Sequence, residues 1–184
     1  MVELEAMWQP HTQQQNYRTL LEAMARPGTR QPLYGLEPGS RAILAVLATL
    51  LDVTVTLSDP HDLLSDSDWT LLQCGREKPE RAAYLLCSGQ RQPLFEPRLG
   101  TLDSPEHSAT LVIQVRSLSA GNLRIGYSGP GIRQSGTCDI EGLDLAWLEC
   151  RRSWVGAFPL GVDLILVDSE HVLALPRTTR VEVH

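Results

Sequence analysis

A chain of 184 residues with 42% hydrophobic and 21% charged residues has the make-up of one soluble globular domain, large enough to bury a full core without staples. Its net charge is −6 and its basic residues form no run, which excludes nucleic acid as a main partner, because phosphate neutralisation needs clustered Lys and Arg. The longest strongly apolar stretch, Ala42 to Leu51, is too short to span a bilayer, and Met1 to Trp8 holds acidic residues in place of an apolar leader core, so a cytoplasmic protein with reduced thiols and no membrane contact is expected.

The first clear element is a helix over residues 11–26. Tyr17, Leu20, Leu21 and Met24 fall at i, i+3, i+4 and i+7, one apolar stripe on a period of 3.6, and Pro27-Gly28 stops it. Arg18, Glu22 and Arg26 form a ladder on a neighbouring face, worth roughly 0.2–0.5 kcal/mol per pair. After the turn at Pro38-Gly39, Ser40 is the expected N-cap of a second helix, Arg41 to Leu51, apolar on nearly every side and therefore buried in the core or in an interface. Val53 to Leu57 alternates as a strand does. A polar connection, a short helix over Asp68 to Cys74 and a strand over Ala82 to Cys87 follow.

Residues 90–107 read as irregular, punctuated by Pro93, Pro97, Gly100 and Pro105. Ala109 to Val115 is a continuous apolar run of the kind buried on both faces of a sheet, and Ser119 to Asn122 is expected to turn Leu123–Tyr127 back against it as a hairpin. A last helix spans Leu143 to Ser153. Two apolar runs, from Phe158 to Val167 and from Val172 onward, flank Asp168-Ser169-Glu170-His171 and predict a closing hairpin, with Pro176 marking where the chain leaves the sheet or follows its edge. Early alternation of helices and strands followed by hairpins predicts a single α/β domain over residues 1–184, with a mixed β-sheet flanked by helices.

Candidate chemistry is sparse. Gly126 to Ile132 follows a strand but lacks the Lys-Ser/Thr of a phosphate loop and the third glycine of a dinucleotide loop; Gly129 and Gly131 form a turn at which backbone can approach a ligand or partner closely. The five histidines stand alone, and Cys74, Cys87, Cys138 and Cys150 have neither metal-ligand nor nucleophile spacing, so no metal is expected. Lys78, the one lysine, sits in a polar run and is poorly placed for a Schiff base. The other basic residues are fifteen arginines, a bias that fits either anionic ligands and polar interfaces or a GC-rich genome. The best constellation is Asp163, a carboxylate inside an apolar strand, with Arg177, Thr178, Thr179 and Arg180 across the hairpin. It reads either as an anion or ribose-phosphate contact, or as a structural ion pair or subunit contact.

The run Arg18-Thr19-Leu20-Leu21-Glu22-Ala23-Met24-Ala25-Arg26-Pro27-Gly28 resembles the N-terminal signature of the PhnH family of the phosphonate carbon–phosphorus lyase system. Gly100-Thr101, Pro105-Glu106, Ala109–Val115 and Gly129-Pro130-Gly131-Ile132 are similar to its middle, Phe158–Leu164 and Leu175-Pro176-Arg177-Thr178-Thr179 to its end, and residues 58–97 match least. The resemblance implies a fold similar to a shortened pyridoxal-phosphate-dependent transferase without the cofactor. It implies membership of a complex with subunits G, I and J, and a homodimer when isolated. The reaction implied is displacement of adenine from ATP by an alkylphosphonate, giving ribose 1-alkylphosphonate 5-triphosphate, with a separate radical iron–sulfur protein of the system breaking the carbon–phosphorus bond later. The expectation for this chain is an auxiliary subunit with no catalytic residues of its own, with helix 41–51 and Arg177–Arg180 as subunit contacts. The alternatives are a nucleotide- or phosphonate-binding module and a free-standing pyridoxal enzyme built on Lys78.

Overall fold

The computed structural model describes residues 6–38 and 40–184. Helix α1 (Pro10–Ala25) is followed by strand β1 (Gln31–Pro32), α2 (Ala42–Leu50), β2 (Thr56–Ser58), α3 (Asp66–Leu72), β3 (Gly75–Arg76), β4 (Tyr84–Ser88) and β5 (Thr110–Gln114). Then come β6 (Leu123–Ser128), β7 (Gly136–Ile140), α4 (Ala146–Trp154), β8 (Asp163–Val167), β9 (His171–Leu175) and β10 (Arg180–Val183). Seven strands form a mixed sheet in the order β1-β9-β8-β5-β4-β2-β3, and three form an antiparallel sheet in the order β10-β6-β7. From β8 through β5, β4 and β2 to β3 the large sheet is parallel, while β9 and β1 add antiparallel to its other side. No described helix is long and apolar enough to cross a membrane.

The pleat divides the core into two layers, because successive side chains of a strand face opposite ways. Leu86, Val112, Ile165, Val172 and Ala174 pack on one face with α1, α2 and α3. Leu85, Leu111, Ile113, Leu164 and Leu166 pack on the other with α4 and with Ile125 and Ile140 of the small sheet. β5 is buried on both faces as expected, with Leu111, Val112 and Ile113 fully enclosed. The β8–β9 hairpin also follows the expectation. Asp168 holds its turn, Oδ1 accepting the N–H of Glu170 at 2.9 Å and of His171 at 2.8 Å.

Several expectations are corrected. The stripe on α1 is rotated: Tyr17 and Leu21 are about half exposed, and the buried face carries Thr12, Asn16, Thr19, Leu20 and Ala23. Asn16 tolerates burial because its amide exchanges hydrogen bonds with the backbone of Tyr34, at 2.8 and 3.2 Å. Ser40 does not cap α2; its hydroxyl accepts the Glu37 N–H, and Arg41 occupies the cap position. The helix that follows is spent largely on this chain's own core, with Ala42–Ala48 all buried and only its ends, Arg41 and Thr49-Leu50, reaching the surface. The strand at Val53 starts late, at Thr56, because Asp52 draws the N–H and hydroxyl of Thr54 into a turn at 2.7 and 2.6 Å.

A further correction concerns topology. Leu123–Ser128 does not return against Thr110–Gln114, because both edges of that strand are already taken by β4 and β8. It pairs instead with β7 on one side and β10 on the other, which is where the chain goes after Pro176 leaves the large sheet. The short helix α3 begins two residues earlier than expected, fixed by a capping box between Ser65 and Asp68.

The four cysteines are free. Burial raises the thiol pKa at each, well up for Cys87, and for Cys138 to about 11 with the Asp139 charge adding to it. A folded thiol therefore keeps a proton that the unfolded chain releases, so this stability is complete below the unfolded value and is lost as pH rises past it. Arg151, depressed by burial to about 10, has the opposite sign but acts only above that value. The urea unfolding midpoint, followed by circular dichroism under reducing conditions, should fall between about pH 8 and pH 10. A flat profile across that window would contradict the burial of the thiols.

Candidate functional site

The stripe of α4 that faces inward is Trp147, Leu148, Arg151 and Trp154, an i, i+1, i+4, i+7 spacing with one arginine among apolar side chains. Arg151 is only 3% exposed. Its Nη2 donates to the carbonyl of Pro176 at 2.6 Å and to that of Thr179 at 3.0 Å. These belong to the turn in which the Thr179 N–H returns to Pro176 O at 2.9 Å, so the guanidinium staples the turn to the helix. Burial lowers its pKa, the Asp163 charge opposing, yet at about 10 it stays protonated at neutral pH.

Arg177 points the other way and spends its donors inside the chain. Nε and Nη2 meet the two oxygens of Asp163, at 3.3 and 2.6 Å, and the Arg177 backbone N–H reaches Oδ1 at 2.7 Å. Nη2 also donates to Ser108 Oγ, and Nη1 to the carbonyls of Pro105 at 2.8 Å and Pro159 at 3.4 Å. Both side chains of the pair are about 15% exposed, so this fork ties the hairpin to two loops out of water.

Between α4 and the segment that follows Pro176 lies an open cleft of about 510 Å³. Arg151 and Arg177 are at its wall, the exposed Arg152 and Arg180 stand along it, and Phe158, 70% exposed, lies on its rim. Neither Arg152 nor Arg180 has a carboxylate within salt-bridge distance among the described residues, and Glu182 is the one acid lining the cleft. Two buried polar atoms here have no partner among the described residues, Nε of Arg151 and Oγ1 of Thr179. Leaving a buried donor unmatched costs about 1–3 kcal/mol, which marks the spot as incompletely satisfied by the chain itself.

The structure thus gathers the residues singled out in sequence into one region, though not in one role. Arg177, Thr178, Thr179 and Arg180 line the cleft with Pro130, while Asp163 lies behind it, occupied by Arg177. Gly129 abuts the same segment, its missing Cβ falling 3.0 Å from Thr178 O. Gly131, at φ +80°, leaves no room for a side chain, since a Cβ would collide with the carbonyl oxygen of Ala25. Sequence reasoning missed Arg151 and Arg152; the available signal was a basic residue falling on the apolar stripe of a helix. Lys78 is exposed, and no group of three His, Cys, Asp or Glu gathers as metal ligands among the described residues.

Residues 5–182 match the family described as bacterial phosphonate metabolism protein (PhnH). The chain belongs to that family. A Stutzerimonas stutzeri protein, HtxG, named for a C-P lyase subunit, is 39% identical over 178 residues, covering 96% of this chain and 89% of its own length. A Rhizobium meliloti (strain 1021) protein named alpha-D-ribose 1-methylphosphonate 5-triphosphate synthase subunit PhnH is 34% identical over 179 residues, covering 90% of this chain and 88% of its own. In this PhnH-family chain the arginine-lined cleft holds two residues with a buried unmatched polar atom, Arg151 and Thr179, beside the exposed Arg152 and Arg180.

Proposed function

We propose that the chain is an auxiliary subunit of a carbon–phosphorus lyase core complex in organic phosphonate catabolism. In this role it supports formation of ribose 1-alkylphosphonate 5-triphosphate from ATP and alkylphosphonate without carrying the chemistry itself. The observation that carries the reading is near full-length family membership, with two relatives whose names place them in that system. The residues point the same way: exposed Lys78 has no desolvated pocket, and Asp163 is committed to Arg177. The finer parts of the proposal are partnership with subunits G, I and J, a homodimer when isolated, residence in the cytoplasm, and kinship with a shortened pyridoxal-phosphate-dependent transferase fold. A largely parallel sheet with helices on both faces supports that kinship.

The test is an affinity pull-down of the tagged chain from cells growing on a phosphonate as sole phosphorus source, read by mass spectrometry. Stoichiometric recovery of G-, I- and J-like subunits is the expected result. Recovery of the chain alone, under conditions that preserve a control complex, would reject stable membership. A second reading, a binding or sensing module for a nucleotide or phosphonate, is favoured by one observation, the unspent donors of the arginine cleft.

A further inference from the structure

We infer that the cleft between α4 and residues 177–182 is a binding site for a phosphoryl-type oxyanion carried by a small molecule, anchored on Arg151, Arg152 and Arg180. The inference deepens the binding-module reading and stands on the geometry of this chain, not on complex membership. Three features carry it. Arg151 is buried, held by carbonyls rather than a carboxylate, and keeps Nε without a partner, as Thr179, whose carbonyl it holds, keeps its hydroxyl. Both residues line the cleft, and a guanidinium N–H and a hydroxyl are donor types that suit an oxyanion.

Second, Arg152 and Arg180 bring two further charges to the same space with no salt-bridge partner among the described residues, against the single Glu182. A planar guanidinium fork matches the spacing of phosphate and phosphonate oxygens. Arg177, with its donors committed to Asp163 and neighbouring oxygens, positions the turn and does not contact the ligand. Third, the volume of about 510 Å³ suits a ligand larger than a bare ion, and exposed Phe158 gives the rim an aromatic face for whatever carries the charged group.

The experiment is isothermal titration of the isolated full-length chain with four probes: inorganic phosphate, methylphosphonate, tripolyphosphate and ATP. Tripolyphosphate and ATP are expected to bind, with affinity falling as salt rises. The surface variant Arg152→Ala/Arg180→Ala should weaken them at least ~10-fold with the melting temperature unchanged, while Arg76→Ala, on the far edge strand β3, should not. Phe158→Ala separates sources: loss confined to ATP assigns a ring-bearing carrier, and no loss assigns the charged group alone as the ligand. Tighter binding of methylphosphonate than of either polyphosphate assigns a phosphonate headgroup to the same site. Absence of heat with all four probes at millimolar concentration overturns the inference, as does binding indifferent to the double variant. A poly-glutamate peptide, titrated as a control beside the four probes, overturns it in favour of protein docking if it binds more tightly than all four and loses that binding in the same variant. None of these outcomes touches the pull-down result, so the two proposals fail separately.

Discussion

Asp163→Ala is expected to lower the melting temperature by roughly 6–20 °C, the consequence of losing about 3–5 kcal/mol when one member of a buried ion pair is removed. The carboxylate receives three N–H groups of Arg177, two from the side chain and one from the backbone, and both partners are largely out of water. Without it, the guanidinium keeps the Pro105 and Pro159 carbonyls and Ser108 Oγ, all neutral, so a largely buried charge is left without a counter-charge. Arg177→Ala should cost a similar amount by stranding Asp163. The sharper measurement is the double variant: with both charges gone, most of the loss should return, because a neutral replacement of the whole pair avoids the desolvation penalty. Thermal unfolding by circular dichroism reads all three. A shift below about 2 °C for Asp163→Ala would reject the pair as a support of the hairpin. The measurement uses the isolated chain, so it separates the pair's effect on folding from any effect on assembly.

Trp147→Ala should be comparably severe, about 3–5 kcal/mol in urea unfolding. The side chain is fully enclosed on the inward stripe of α4, in edge-to-face arrangement with Phe95 at a centroid distance of 6.2 Å and with His61 at 6.3 Å. Its indole N–H donates to Arg91 O at 2.8 Å, tying the helix to the irregular segment before β5. Truncation leaves a cavity that rigid neighbours fill only in part and removes that hydrogen bond. Trp147→Phe restores ring packing without the donor and should recover about half of the loss or more. A decrease below about 1 kcal/mol for the alanine variant would show that α4 is held by other contacts. Because Arg151 follows Trp147 by one helical turn, the same truncation should loosen the cleft wall before it unfolds the chain.

The parts legible in sequence were those set by local pattern. The all-apolar run at Ala42 to Leu51, the unbroken strand at Leu111–Ile113 and the turn held by Asp168 each carry their instruction within a few residues, and each forms as expected. What was illegible depended on distant chain. The face α1 buries is decided by the fit of Asn16 to the Tyr34 backbone, and a stripe of leucines and methionine outweighs an asparagine in any periodicity count. The partner of Leu123–Ser128 is decided by occupancy of β5 on both edges, which only the assembled sheet reveals. In the cleft, the charged cluster at Arg177–Arg180 could be noticed because its residues are adjacent. Arg151 could not be joined to it by spacing, since the two meet through the carbonyls of Pro176 and Thr179.

The strand order also dictates when the cleft comes into being. In the large sheet Tyr84 lies beside Thr110, and Thr110 beside Asp163, so each parallel pairing must close a long loop before any contact compensates the lost chain entropy. Among the paired strands of the large sheet, β8 and β9 are joined through a tight turn, so that hairpin is the most local pairing and brings the Asp163–Arg177 pair with it. The cleft needs α4 packed on that sheet, and then Arg180–Val183 zipped onto Leu123–Ser128. Its arginines therefore converge only where the hairpin, α4 and the β10–β6 pairing are all in place, and a chain lacking any of these has nowhere to hold the anion.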